Sequence, residues 1–139
     1  MIYLQRLNIA WNFSSAITNL HQMEEKENLI LNLTLAFALE IIVYCEGLEQ
    51  QKRYVISNQL LKSGTSIGAN VREAQSPESR ADFTHKMKVA AKEANETEYW
   101  LILCQRSANY PNCEALLQKL ESIQKILSKI IGSSKRDTV

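Results

Sequence analysis

At 139 residues the chain is one domain with room for a single core. Hydrophobic content of 45% and charged content of 22% are ordinary for a folded protein, and sixteen basic against fifteen acidic residues lack the excess of a dedicated nucleic-acid binder. Four glycines and two prolines leave few turns, so a few long elements are expected rather than many short strands.

The chain opens with Ile2, Leu4, Leu7, Trp11, Ile17 and Leu20, apolar but without a convincing cap. Gln5, Arg6, Asn8, Asn12 and the Ser14–Ser15 pair break any secretory-type core. From Met23 the sequence reads MEEKEN, an ordinary start to a soluble helical protein. Residues 1–22 are therefore expected to be an upstream extension, 23–132 the folded domain and 133–139 a flexible tail. No run approaches the roughly 18 uninterrupted apolar residues of a membrane span, so a cytoplasmic protein with no membrane partner is expected.

Four segments carry helical periodicity. The first, about Asn28 to Glu46, places Ile30, Leu33, Phe37, Ile41, Tyr44 and Leu48 on one stripe, with Gly47 as a left-handed cap. Leu29, Leu31, Leu35, Ile42 and Val43 widen the stripe past one face, which predicts a subunit interface as well as a core. The second starts near Arg53 or Tyr54 and turns Ile56, Leu60, Ile67 and Val71 inward. In the third, Phe83, Met87, Ala90, Ala94, Thr97, Leu101 and Cys104 alternate steps of four and three, the spacing of knobs-into-holes packing. The fourth begins near Asn112, repeats the pattern with Leu116, Leu120, Ile123, Leu127 and Ile130, and is expected to stop at Gly132. Strand signals are absent. The predicted fold is all-α, an antiparallel up-down four-helix bundle.

Between helices two and three, LLKSGTSIGANVREAQSPESRADF resembles a phosphate loop only in its glycines. After Gly68 comes Ala69-Asn70 rather than Lys-Ser/Thr, and helix rather than strand precedes it. Ser63, Gly64, Ser66, Gly68 and Ala69 instead make a small-residue surface for close helix packing. Pro77 is placed in the first turn of helix three, with Ser79 and Asp82 as a variant capping box.

Three cysteines, Cys45, Cys104 and Cys113, lack CxxC or metal-ligand spacing, so no metal and no cofactor are expected. A polar network that fixes register, or the edge of a binding surface, is assigned to Ser66, Asn70, Arg72, Glu73, Asn95 and Glu98. The one catalytic candidate is Arg80 with His85. Its spacing resembles the Arg-x4–6-His signature of small helical RNases (the HEPN superfamily), in which the pair acts on a phosphodiester without metal. Five residues are about 500° of helix, so the two side chains should diverge by about 140°. Candidate nucleic-acid contacts are Lys86, Lys88 and Lys92. Lys119, Lys125, Lys129, Lys135 and Arg136 supply further cations that an oligomer would repeat.

The blocks SIGANVREA (Ser66–Ala74), SRADF (Ser79–Phe83) and AKEANETEYWL (Ala91–Leu101) resemble the bacterial four helix bundle protein family, also called 23S rRNA intervening-sequence proteins. The likeness spans about Glu25 to Gly132. Gly68 and Ala74 stand where many members carry proline and glycine. The resemblance implies a bundle assembling as a ring-like homopentamer, with no established enzymatic activity; members commonly carry other residues where His85 stands. The family is also similar to the nucleic-acid-binding accessory protein of diversity-generating retroelements. The chain is thus expected to be a non-enzymatic scaffold that partners itself and structured RNA or an RNA-processing protein. The alternatives are the Arg80/His85 RNase and a purely protein-binding bundle.

Overall fold

The computed structural model describes residues 2–136, with side chains for 14–25 and 28–136. The apolar positions Ile2, Leu4, Leu7 and Trp11 and the end of the tail, 137–139, lie outside the described side chains. Four helices follow in order: α1 (Ile2–Gln50), α2 (Tyr54–Glu73), α3 (Arg80–Arg106) and α4 (Glu114–Arg136), with no strand among the described residues.

Each helix packs on two others: α1 on α2 and α4, and α3 on α2 and α4, so α1 and α3 lie diagonally opposite. The cross-contacts set every direction. Cys45, Ile41 and Thr34 meet Ser57, Gly64 and Gly68 in turn, so α1 and α2 are antiparallel. Ser63 meets Thr97 and Glu73 meets Lys86; Gln105 meets Glu114 and Thr84 meets Ser134; Tyr44 meets Pro111 and Glu40 meets Lys119. All four neighbouring pairs are antiparallel.

The four–three repeats of α3 and α4 are the seam: Met87, Ala90, Ala94, Thr97, Leu101 and Cys104 are buried against Leu116, Leu120, Ile123, Leu127 and Ile130. Thr97 Oγ1 donates to Ser63 Oγ at 3.0 Å, so small residues on α2 and α3 close their approach with a hydrogen bond. On α1 the seam is Ile30, Thr34, Phe37, Ile41, Cys45 and Leu48. Thr34 takes the buried place expected for Leu33, because it faces Gly68, where a β-carbon would come within 3.3 Å of its carbonyl. Its hydroxyl is satisfied within α1 by the Ile30 carbonyl at 2.8 Å.

Three expected boundaries move. Helix α1 runs through Gly47 and ends three residues later, at Gln50, in a Schellman motif. Arg53 N–H donates to the Leu48 carbonyl and Lys52 N–H to the Glu49 carbonyl, with Lys52 at φ +60°. Helix α4 likewise passes through Gly132, since a glycine weakens a helix without obliging it to stop. Pro77 falls outside α3: Ser79 is the N-cap, accepting from Asp82 N–H at 3.0 Å, and Asp82 Oδ2 accepts from Glu78 N–H at 3.1 Å. Helix α1 is continuous across Met23, and its residues 14–25 are exposed on every side.

Candidate functional site

Chemistry-bearing side chains gather in three places. At the end closed by the α1–α2 and α3–α4 turns, Arg53 stacks 3.9 Å from the Tyr110 ring centroid and donates to the Asn109 carbonyl. Beneath it Tyr44 Oη donates to the Pro111 carbonyl at 2.9 Å, and burial, reinforced by Cys104 and Cys113, raises its pKa. Cys45, Cys104 and Cys113 are all free and buried. Burial pushes Cys45 up to about 11 and raises Cys104 and Cys113. Thiols held protonated are poor nucleophiles, and each of these fills space in the core. Among the described residues no group of three or more His, Cys, Asp or Glu could hold a metal ion.

The second place is the outer face of α1 and α2. Leu35, Leu39 and Val43 are 56%, 58% and 67% exposed, flanked by Leu29 and Ile42. Beside them a shallow groove of about 150 Å³ runs between the helices, bordered by Leu31, Thr34, Ala38, Thr65, Ala69 and Arg72 among others. Arg72 makes no ion pair or hydrogen bond among the described residues and edges an apolar surface. By length and composition, the Ser14–Gln50 part of α1 is apolar enough to cross a membrane; a third of its most apolar stretch is buried in the bundle.

The third place is the start of α3 and the end of α4. Arg80, His85 and Lys88 border one cleft with Ser134 and Lys135, at a volume of about 280 Å³. Arg80 and His85, expected to diverge, therefore share a cleft. Thr84 Oγ1 and Ser134 Oγ are 3.0 Å apart across its floor, tying α3 to α4.

The residues assigned to one polar network are distributed over four places, Arg72 standing apart at the edge of the α1–α2 groove. Asn70 Nδ2 donates to the Ser66 carbonyl within its own helix at 2.9 Å. Glu73 pairs with Lys86 of α3 at 2.8 Å, and this contact raises the Lys86 pKa. Asn95 and Glu98 both accept from Gln124 Nε2 of α4, at 3.2 and 2.9 Å. Of the candidate phosphate contacts, Lys86 is thus engaged by Glu73, Lys88 borders the cleft, and Lys92 is exposed. Sequence reasoning passed over Gln124, Thr84 and Ser134. Gln124 could have been found as the polar residue beside Ile123 in the seam of α4; the two hydroxyls carry no comparable signal.

A family model described as 23S rRNA-intervening sequence protein matches residues 26–129. Among solved structures, the chain is similar to a Bacteroides thetaiotaomicron protein of unknown function from the S23 ribosomal protein family. The two are 44% identical, with a TM-score of 0.72, over 77% of this chain and 98% of that one. No curated protein matches the chain.

Proposed function

The chain belongs to the 23S rRNA-intervening sequence protein family, and from that membership we propose that it is a cytoplasmic, non-enzymatic homo-oligomer, a ring of five, serving as a scaffold for structured RNA. The observation that carries the oligomer is the outer face of α1, where Leu35, Leu39 and Val43 are each more than half exposed along one stripe. A contiguous apolar face of this kind marks an interaction surface. Repetition around a ring would multiply weak cationic patches without requiring a basic chain.

Light scattering on the purified chain tests this reading. A particle five times the 15.9 kDa chain supports it, and a monomer at micromolar concentration overturns it. Leu39→Glu should dissociate the particle while leaving the helical spectrum intact. The protein should leave lysed cells without detergent; retention by membranes would assign the same apolar stretch of α1 to lipid.

A second reading rests on Arg80 and His85 bordering one cleft. The imidazole would move the proton of a ribose hydroxyl and the guanidinium would neutralise the phosphate. It predicts RNA cleavage without added metal, abolished by Arg80→Ala and by His85→Ala separately.

A further inference from the structure

We propose that the part of α1 that runs out beyond the bundle is a second assembly surface, pairing in parallel with the same segment of other copies of this chain. Helix α1 is 49 residues long, against 20, 27 and 23 for α2, α3 and α4. Residues 2–25 make about 36 Å of helix at ~1.5 Å per residue. Over 14–25, where side chains are described, every residue is exposed. The seam that α1 turns into the bundle continues along this segment. Steps of seven, three and four back from buried Ile30 reach Met23, Leu20 and Ala16, with Leu20 61% exposed and Ile17 beside it 51% exposed. In the sequence the next steps of three and four reach Phe13 and Ile9, and Glu27 is the one polar residue on the stripe between Ile9 and Ile30.

Such a stripe needs a cover. A lone helix is marginal in water and takes its stability from packing an amphipathic face. Ser14, Ser15, Thr18 and Asn19 are weak helix formers, and the Thr18 hydroxyl turns back on the Ser14 carbonyl at 2.9 Å. The charge pattern selects what covers it. Asn8, Asn12, Ser15, Asn19 and Gln22 recur beside the stripe at steps of four and three, and residues 7–23 contain no Asp, Glu, Lys or Arg. His21, the one titratable side chain in that run, has Glu25 beside it at 3.4 Å. A helix lying on lipid carries Lys and Arg on its polar face. One crossing a bilayer needs about 20 predominantly apolar residues, a run that these five polar positions interrupt. Identical uncharged segments instead meet without like-charge repulsion, and a three–four apolar repeat is what helices bury between them in a coiled coil. In a closed ring every copy sends this segment out on the same side, so the pairing is parallel; that direction rests on the ring proposed above.

The test is the full chain carrying one pyrene, attached through Ala16→Cys or through Met23→Cys; Cys45, Cys104 and Cys113 are buried in the folded chain and shielded from the label. Parallel pairing sets each residue against its own copy, so excimer emission is expected at both positions. Adding Leu20→Asp should abolish the excimer at both while leaving the urea midpoint of the bundle unchanged, since Leu20 lies outside its core. Monomer emission at both positions overturns the pairing. An antiparallel pair can superpose only one of the two positions, so an excimer at one alone overturns the parallel arrangement. Monomer emission from chain that sediments with phosphatidylcholine–phosphatidylglycerol vesicles overturns the proposal and gives the segment to lipid. Light scattering on the same samples keeps the ring separate. A five-chain particle without excimer loses this surface and keeps the ring, whereas excimer at both positions in a smaller particle keeps this surface and loses the ring of five.

Discussion

Gly64 of α2 lies so close to Ile41 of α1 that a β-carbon at position 64 would stand 2.9 Å from Ile41 Cγ2. Gly64 is buried, and the branched atoms it touches have nowhere to retreat in a packed seam. Gly64→Ala is therefore expected to destabilise the fold by about 1–3 kcal/mol through overpacking, read as a lower urea midpoint at unchanged slope. Ile41→Ala in the same chain should couple favourably with it in a double-mutant cycle.

The reverse holds at the end of α1. A β-carbon at Gly47 meets nothing within 4 Å, whereas Lys52 holds the left-handed position that favours glycine. Gly47→Ala should stabilise by about 0.5–1 kcal/mol and Lys52→Gly by about 1 kcal/mol. A calorimetric midpoint that drops in both variants would show that the Schellman geometry is not what ends this helix.

These positions also show what a sequence can and cannot tell. The seams of α3 and α4 were legible because a four–three repeat of apolar residues has one packing solution. Gly47 and Gly132 misled because a glycine permits a helix end without requiring one, and the deciding hydrogen bonds come from Lys52 and Arg53. The candidate sites were legible only as residue types. Which cation Glu73 engages depends on how α2 and α3 are aligned, and periodicity does not fix that register. Arg80 and His85 come together at a cleft whose other wall is the end of α4, about fifty residues downstream, as the Thr84–Ser134 separation shows.

Ser79 caps α3, its side-chain oxygen accepting from Asp82 N–H at 3.0 Å. Ser79→Ala should cost about 0.5–2 kcal/mol and speed amide exchange in the first turn of α3. Exchange in the seam around Thr97 should change only in step with global stability.

The Cys45 thiol gives a pH dependence. Burial raises its pKa from 9.0 to about 11, opposed by its hydrogen bond with Ser57. The folded state thus keeps a proton that the unfolded chain releases. Its contribution to stability is complete below pH 9.0 and is lost as pH rises through about 11. The urea midpoint should fall over that window, and fall less in Cys45→Ala than in the parent. Parallel pH profiles for the two proteins would remove Cys45 as the cause.

The order in which the helices pack bears on how the chain reaches this structure. Three of the four interfaces join helices consecutive in the chain, and only α1 with α4 spans it. Such local connectivity gives a low contact order and folding on the microsecond-to-millisecond scale. The α1–α4 contacts, Tyr44 to Pro111 and Glu40 to Lys119, close the longest loop and should form last. Until they do, α1 lacks one of its two partners within the chain. A nascent chain would therefore leave the Tyr44 and Glu40 side of α1 uncovered until its own α4 arrives, so that side of the longest helix is the last to be enclosed.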